Sequence, residues 1–274
     1  GAGLSAHVWQ AMDDLAVETI GARLPMLTGL GATETAPFSL SVTPETSRSG
    51  HVGLPVPGNT LKLVPNNGKL EARVKGPNVT PGYWRQPDLT AKAFDEEGFY
   101  RFGDALRFVD EHDITQGFIF DGRLSEDFKL ASGTWVSVGP LRAKLVARCA
   151  PFVKDAVVAG INRDYVAVMI IVDLDACRSF CRDLPDAAGL AELTAHAGLR
   201  AAIGDRLAAL ARESTGSSNK VVRAILLDTP PSIDKGEITD KGSINQAAVL
   251  QCRAEVVEEL YAATPTARTI VVGD

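Results

Sequence analysis

The spacing of hydrophobic positions along the chain changes near residue 122. Residues 5–22 place apolar side chains at helical intervals, which predicts an amphipathic helix. A short apolar run at residues 26–31 closes on glycines and predicts a strand that ends in a tight loop. Between residues 50 and 120, short β-type runs alternate with turns such as Pro-Asn-Asn-Gly. This part predicts an all-β piece with strands at residues 60–64, 69–75, 106–109 and 117–120.

Beyond residue 122, runs with strand spacing and helix spacing alternate. The predicted strands are residues 156–161, 165–172 and 221–227, and the predicted helices are residues 141–149, 173–183, about 189–213 and 246–262. This alternation predicts a small α+β unit with helices packed on a sheet, and it places the boundary near residues 122–127. Residues 264–274 fit either a mobile tail or a last extended segment.

Composition narrows the classes of function. Hydrophobic residues make up 45% of the 274 positions, which allows a packed core, and the net charge of −6 argues against a nucleic-acid partner. The longest apolar runs fall short of a membrane span, so no membrane partner is expected. The start, Gly-Ala-Gly without Met, predicts an excised or processed fragment. Four cysteines without a signal peptide indicate a cytoplasmic location and buried thiols rather than a zinc site: Cys149, Cys177, Cys181 and Cys252.

Two motifs in the first part carry candidate nucleotide chemistry. Residues 31–34 read Gly-Ala-Thr-Glu, where Gly31 permits close backbone approach, Thr33 offers a hydroxyl to phosphate and Glu34 offers a hard oxygen to Mg²⁺. A turn followed by a capped helix is the competing interpretation. Asp104, which ends a Tyr-Arg-Phe-Gly-Asp run, is placed at a strand start, where a carboxylate can accept the two hydroxyls of a ribose. A solvated turn aspartate is the alternative there.

Two further motifs surround the second part. Residues 120–133 combine Arg123, a guanidinium for phosphate or ribose, with flexible and charged residues between two domains. An ordinary polar linker is the alternative. Residues 237–242 read Glu-Ile-Thr-Asp-Lys-Gly, and Lys241 on such a Gly-flanked loop can reach a distant anion. A solvated turn lysine is the alternative.

In this order and spacing, the four motifs resemble those of the adenylate-forming superfamily, which includes acyl-CoA synthetases, luciferases and peptide-synthetase adenylation domains. Residues 31–34 resemble its Tyr-Gly-x-Thr-Glu motif, with Leu30 in place of the aromatic residue. Residues 100–104 resemble Tyr-Arg-Thr-Gly-Asp, and residues 122–129 resemble the Gly-Arg-x-x-Asp-x-x-Lys hinge that ends at Lys129. Lys241 lies where the family has its catalytic lysine. Gly1, Ala2 and Gly3 resemble part of the family's segment that lies beside the adenine of the nucleotide.

The resemblance implies a fold and a reaction. Residues 1–123 would be the end of a large α/β domain with a β-rich subdomain, and residues 124–274 a small α+β lid with a mixed sheet. The family couples a carboxylic acid to ATP with Mg²⁺, giving an acyl-adenylate and pyrophosphate, and CoA then displaces AMP. Lys241, Thr33 and Glu34 would be catalytic, with Glu34 on the metal. Nucleotide or CoA contacts would come from the segment at residues 1–3 and from Leu30, Gly31, Thr33, Asp104, Arg123, Lys129 and Gly133.

Residues 126–139 and 236–242 resemble feruloyl-CoA synthases in particular, which implies a hydroxycinnamate substrate. Two choices stay open: Glu126 or Asp127 as the hinge, and Lys241 or the rival Lys235 as the catalytic lysine. The family's Ser/Thr/Gly-rich phosphate loop has no match here, so we expect a missing N-terminal half and an inactive isolated chain. The alternatives are a non-catalytic nucleotide-binding or interaction module and, more remotely, a peptide-synthetase domain.

Overall fold

The computed structural model describes residues 6–185 and 187–273. These residues form two compact units, which meet in the sequence between Ser125 and Glu126. Within the described residues, none of the helices is long and apolar enough to cross a membrane. The predicted α+β class is confirmed, since helices accompany a seven-stranded antiparallel sheet in the first unit and a four-stranded mixed sheet in the second. The roles assigned to the two units, a remnant of a larger domain and a lid, stay predictions.

The first unit is built on a seven-stranded antiparallel sheet with the strand order β1-β2-β3-β7-β6-β5-β4. Its strands are β1 (Gly29–Leu30), β2 (Leu40–Ser41), β3 (His51–Pro55), β4 (Thr60–Asn66), β5 (Lys69–Lys75), β6 (Tyr100–Phe108) and β7 (Phe118–Arg123). Helix α1 (Ala6–Ile20) precedes the sheet, and α2 (Pro87–Ala93) lies between β5 and β6. Short 3₁₀ turns follow β1 at Thr33–Thr35 and precede β7 at Ile114–Gln116.

The β4–β5 hairpin shows why the strands form where the sequence places them. Asn67 and Gly68 both have positive φ, 50° and 82°, the combination that a tight two-residue hairpin turn requires and that Asn-Gly adopts readily. The two strands pair in continuous register up to Asn66 and Lys69. The predicted hairpin is therefore confirmed.

The second unit contains a four-stranded mixed sheet between helices. A two-stranded ribbon, β8 (Phe128–Lys129) and β9 (Trp135–Val136), precedes it. The sheet order is β10-β11-β12-β13, with β11 and β12 parallel and the outer pairs antiparallel. The elements are α3 (Val138–Cys149), β10 (Val153–Ala159), β11 (Val166–Val172), α4 (Leu174–Phe180), α5 (Leu190–Ala195), α6 (Ala197–Arg212), β12 (Val221–Leu226), α7 (Gln246–Cys252), α8 (Ala254–Leu260) and β13 (Thr269–Val271).

Both faces of this sheet are buried, because alternate strand residues enter different clusters. Val158 and Val168 pack in the larger cluster, which includes residues of α3 and α6. Val157 and Met169, one residue earlier or later, pack in a smaller cluster with Val249 of α7 and other residues of α7 and α8. The unit is therefore a three-layer arrangement in which α7 and α8 cover one face of the sheet.

Several predicted boundaries were wrong. The predicted helix at residues 189–213 is two helices that meet at His196, whose Nδ1 accepts a hydrogen bond from the Leu199 N–H. The predicted helix at residues 246–262 is also two helices, separated at Arg253. Of the two alternatives for the last residues, the extended one holds, because β13 pairs with β12. The strand predicted at residues 26–31 is reduced to β1, and α2 was not predicted.

The cysteines are free thiols, and three of them are buried as predicted, whereas Cys252 is exposed. Burial raises the pKa of Cys149 to about 11 and that of Cys177 to about 12. These thiols therefore stay protonated at neutral pH and act as small hydrophobic side chains.

Candidate functional site

The Gly-Ala-Thr-Glu motif forms the turn that follows β1. A Cβ at Gly31 would lie 2.2 Å from the backbone carbon of Pro37, so the chain itself requires glycine here. Thr35, which is fully buried, fastens the turn, because its Oγ1 accepts from the Ala32 N–H and donates to the Ala32 carbonyl. This leaves the Thr33 side chain exposed.

Hydrogen bonds hold both the side chain and the backbone of Glu34. The Tyr83 hydroxyl donates to Glu34 Oε1 at 2.7 Å, and the Glu34 carbonyl accepts from the Thr80 N–H at 2.7 Å. The hydrogen bond with Glu34 and partial burial raise the pKa of Tyr83. Burial, together with Tyr83 and Glu34, raises the pKa of Tyr100, which is 7% exposed. The motif's carboxylate is therefore oriented by neutral phenols, and Tyr83 is a residue to which sequence reasoning gave no role.

Asp104 lies inside β6, so its predicted position at a strand start was wrong. It is 9% exposed and faces Arg123, its register partner on β7, across 3.4 Å between Oδ1 and Nε. The β6–β7 register shifts between Asp104 and Leu106, and Gly103 just before has a φ of 72°. Such bulges turn a side chain away from the regular pleat.

The electrostatics of Asp104 follow from its burial. Burial raises the pKa of Asp104, and the charge and hydrogen bond of Arg123 oppose this rise. The Arg123 side chain is 60% exposed, so its guanidinium remains open to solvent. A buried carboxylate beside an exposed guanidinium can accept hydroxyl donors while the arginine contacts an anion.

Leu30 contributes to the core of the first unit. It is 8% exposed and packs in the cluster that contains Leu40 and Leu106. It therefore presents little surface to a ligand. The predicted contacts of Gly1, Ala2 and Gly3 lie outside the described residues.

A groove of about 680 Å³ on the first unit lies near the Glu34 turn without including the predicted residues. Thr80, which binds the Glu34 carbonyl, lines it together with Phe94 and Arg101. Glu34 and Asp104 are absent from its lining. The predicted chemistry therefore lies outside this groove.

The predicted hinge residues have different surroundings. Asp127 Oδ1 accepts a hydrogen bond from the Val138 N–H, the first residue of α3, at 2.9 Å, so its side chain is fixed to the second unit. Lys129 is exposed, with its Nζ 5.2 Å from the centre of the Trp135 ring. Gly133 occupies the loop of the β8–β9 ribbon with a φ of 82°, a conformation that favours glycine.

Lys241 lies at the tip of a short hairpin rather than on a loose loop. The Thr239 N–H donates to the Ser243 carbonyl at 2.9 Å, and Ile238 pairs with Ile244 as an isolated β-bridge. Gly242, with a φ of 78°, completes the turn. We call residues 237–245 the lysine hairpin. Its tip holds an exposed Lys241 side chain.

Lys235 lies in the turn before the lysine hairpin and is also exposed. Its N–H donates to Ser232 Oγ at 3.3 Å, and its charge is one of the causes that lower the pKa of Glu237. Both lysines are accessible, so the choice of Lys241 stays a prediction.

Among residues 6–185 and 187–273, no group of three or more His, Cys, Asp or Glu side chains is arranged to hold a metal ion.

Comparison with known proteins gives no matching family model. The chain is 29% identical over 194 residues to a carboxylic acid reductase of Segniliparus rugosus, covering 70% of this chain and 15% of the reductase. It is 29% identical over 243 residues to long-chain-fatty-acid–CoA ligase 1 of Cavia porcellus, covering 85% of this chain and 34% of the ligase. A probable 4-coumarate–CoA ligase 2 of Dictyostelium discoideum is 30% identical over 167 residues, covering 58% of this chain and 29% of the ligase. The chain thus spans between 15% and 34% of the length of these relatives.

Solved structures resemble nearly the whole chain. The A domain of the Segniliparus rugosus carboxylic acid reductase, in complex with AMP and a co-purified carboxylic acid, has a TM-score of 0.67 at 23% identity and covers 95% of this chain and 38% of that one. The anthranilate CoA ligase AuaEII, in complex with anthranoyl-AMP, has a TM-score of 0.65 at 22% identity and covers 94% and 43%. The chain is thus similar in sequence to acyl-CoA ligases and to a carboxylic acid reductase, and it shares the fold of the adenylation domains among the solved structures.

Proposed function

We propose that the protein is an ATP-dependent acid–CoA ligase that forms an acyl-adenylate and then an acyl-CoA thioester. The observation that carries the proposal is the set of charged groups that each of the two units holds in place on an adenylation-domain fold. An oriented Glu34 and a buried Asp104 beside an open Arg123 lie on the first unit, and Lys241 lies on a hydrogen-bonded hairpin of the second. Because the chain spans only part of its relatives, we assign the activity to a longer protein that supplies the remaining chain.

The first unit would hold the nucleotide. Asp104 has two carboxylate oxygens, and the distance of 3.4 Å to Arg123 leaves them capacity to accept the two ribose hydroxyls. Arg123 would contact ribose or phosphate, and the exposed Thr33 hydroxyl would donate to phosphate. The adenine would lie beside Gly1, Ala2 and Gly3.

Mg²⁺ would be bound by Glu34 together with the nucleotide phosphates. Bound there, the ion would supply positive charge at the phosphoryl oxygens. Tyr83 fixes the Glu34 carboxylate by its hydrogen bond, so the carboxylate is oriented before the nucleotide arrives.

The second unit would supply the positive charge for adenylation and then admit CoA. An attacking carboxylate and the α-phosphate are both anions, and the Lys241 ammonium would stabilise the charge that develops between them. A swing of the second unit would withdraw Lys241 and open a path for pantetheine past Lys129 and Gly133. The pivot would be Glu126 or Asp127, and the Asp127 carboxylate accepts a hydrogen bond from the Val138 N–H.

The acid is proposed to be aromatic, a hydroxycinnamate such as ferulate, and the location cytoplasmic. The support is the resemblance of residues 126–139 and 236–242 to feruloyl-CoA synthases. Two similar proteins, named as a probable 4-coumarate–CoA ligase and an anthranilate CoA ligase, also support an aromatic acid.

A second candidate is the adenylation domain of a carboxylic acid reductase. The similarity to the Segniliparus rugosus reductase in both sequence and fold favours it. The two candidates differ in the second step. A ligase needs free CoA to consume the acyl-adenylate, whereas the reductase produces a reduced acid.

The test is pyrophosphate release by the complete natural protein from ATP and a panel of acids: ferulate, 4-coumarate, anthranilate and palmitate. We expect release with the aromatic acids and CoA thioester formation when CoA is added. Adenylation followed by reduction of the acid to an aldehyde when a hydride donor is added, with no CoA thioester, would select the second candidate. If the protein binds ATP but releases no pyrophosphate with any of the acids, it would be a non-catalytic nucleotide-binding module.

A further inference from the structure

We infer that Arg253 is a positioning residue that fixes the lysine hairpin, through the buried carboxylate of Glu237, for the adenylation step. The inference rests on the proposed function, because it assigns Arg253 to the step in which Lys241 acts. Sequence reasoning placed Arg253 inside a continuous helix and gave it no role.

Glu237 is an almost completely buried anion at the base of the hairpin. It is 1% exposed. Its Oε1 accepts from Arg253 Nε at 2.8 Å, and its Oε2 accepts from Arg253 Nη2 at 3.1 Å and from the Ser232 N–H at 2.7 Å. The hydrogen bonds and charge of Arg253 lower the pKa of Glu237 against the effect of burial, so the pair is ionised at neutral pH.

Arg253 uses all its guanidinium donors within the second unit. Beyond its two bonds to Glu237, Nη1 donates to the Thr229 carbonyl at 3.0 Å and to Thr229 Oγ1 at 2.8 Å, and Nη2 donates to the Pro230 carbonyl at 2.9 Å. The five contacts match the five N–H groups of a guanidinium. Lysine, with one ammonium, cannot reproduce this planar pattern.

The break between α7 and α8 places this guanidinium. Arg253 is the C-cap of α7 and its N–H donates to the Val249 carbonyl at 2.9 Å. With φ and ψ of −115° and 37°, it leaves the helical path before α8 begins. Because Val249 is fully buried in the smaller cluster, the break is anchored to the sheet. Arg253 therefore connects the packed helices to the segment that carries the lysine.

The backbone of Glu237 carries this restraint into the hairpin. Its carbonyl accepts from the Asn245 N–H at 2.9 Å, and the next residues, Ile238 and Ile244, form the β-bridge. The two strands of the hairpin are thus joined at Glu237, and Arg253 holds the side chain of Glu237. Lys241 lies four residues beyond that carboxylate, at the tip.

A positioning role predicts a loss confined to the step that uses Lys241. Displacement of a reacting group by about 1 Å lowers rates by roughly 100-fold. Arg253→Lys keeps a cation beside Glu237 but loses the planar contacts, so we expect adenylation to slow by about 10- to 100-fold. Thioester formation from supplied acyl-adenylate should change by less than about twofold, because Lys241 is withdrawn in that step.

The experiment is a double-mutant cycle in the complete protein with Arg253→Lys, Lys241→Ala and the combination. Pyrophosphate release measures adenylation, and thioester formation from supplied acyl-adenylate measures the second step. Arg148→Lys is the matched control, since Arg148 pairs with Glu213 at a mostly exposed site of the same unit. If Arg253 acts through Lys241, adding Arg253→Lys to Lys241→Ala should slow the residual adenylation by less than about twofold. Equal loss of both steps, or full loss added to Lys241→Ala, would overturn the inference.

A second measurement separates this inference from the proposed function. Amide hydrogen exchange of Thr239, Gly242 and Asn245 should accelerate at least tenfold in Arg253→Lys, while exchange within the sheet stays unchanged. Unchanged exchange in the hairpin would overturn the positioning role even in an active enzyme. If exchange accelerates in Arg253→Lys but the wild-type protein releases no pyrophosphate, the structural restraint by Arg253 would stand. The proposed function would then be refuted, together with the catalytic part of the inference.

Discussion

Gln246 joins α7 to the outer strand of the second unit's sheet, and its removal should be strongly destabilising. Gln246 is 3% exposed and is the first residue of α7. Its Oε1 accepts from the Val158 N–H and its Nε2 donates to the Val158 carbonyl, both at 3.1 Å. Because β10 is the outer strand, this side chain replaces the missing neighbouring strand at Val158, which is fully buried.

The magnitude follows from the two backbone groups that Gln246→Ala would leave without a partner. Each buried polar group that loses its hydrogen bond costs about 1–3 kcal/mol, so the two together cost about 2–6 kcal/mol. Gln251→Ala is the matched control on the same helix. The Gln251 side chain is exposed, so its loss should change the free energy of unfolding by no more than about 0.5 kcal/mol.

Urea unfolding of the chain, followed by hydrogen exchange of the Val158 amide, measures this cost locally as well as globally. Gln246→Glu adds a pH test. A carboxylate can accept from the Val158 N–H but must be protonated to donate to the carbonyl, so burial should raise its pKa. The stability of this variant should then be highest in acid and fall as pH rises through that raised pKa. An effect of Gln246→Ala below about 1 kcal/mol, or a Val158 amide as protected as in the wild type, would refute the reasoning.

Three other predictions follow from the site. Asp104→Ala in the complete protein should raise the KM for ATP and weaken both half-reactions alike, because the ribose is held in both; unchanged kinetics would exclude the ribose role. Tyr83→Phe removes a hydrogen bond to a carboxylate, a loss of about 1.5–3 kcal/mol, and should raise the Mg²⁺ concentration needed for half-maximal adenylation about 10- to 100-fold; an unchanged Mg²⁺ titration would contradict the metal role of Glu34. Arg253 lowers the pKa of Glu237 from its ordinary 4.5, so the pair's stability is present above pH 4.5 and is lost as pH falls through the lowered pKa; an acid-unfolding curve that Glu237→Gln leaves unshifted would contradict this.

The sequence predicted the elements whose pattern is local. The Asn-Gly turn and the alternating strands on either side of it appear in the structure at the β4–β5 hairpin, because positive φ at two adjacent residues limits the choice of residues. The strands β10 to β12 were predicted within three residues at each end, because continuous apolar runs are typical of a sheet buried on both faces.

What the sequence did not predict depends on contacts between distant residues. Apolar spacing continues through Arg253, so only the hydrogen bonds to Glu237, Thr229 and Pro230 reveal why the helix breaks there. In the same way, Tyr83 is separated by 49 residues from Glu34, the carboxylate that it orients. The bulge in β6 was also not predicted from the sequence, because the burial of Asp104 depends on the pairing of β6 with β7.

The most direct test of the account is the half-reaction profile of Lys241→Ala in the complete protein, compared with Lys235→Ala. A single positioned cation contributes about 3–4 kcal/mol to such a transition state, which is a hundredfold or more at roughly 1.4 kcal/mol per decade. We predict that Lys241→Ala lowers the rate of pyrophosphate release by a hundredfold or more and spares thioester formation from supplied acyl-adenylate. Lys235→Ala should alter neither step. Loss of adenylation in Lys235→Ala with full activity in Lys241→Ala, or equal loss of both steps in Lys241→Ala, would contradict the account.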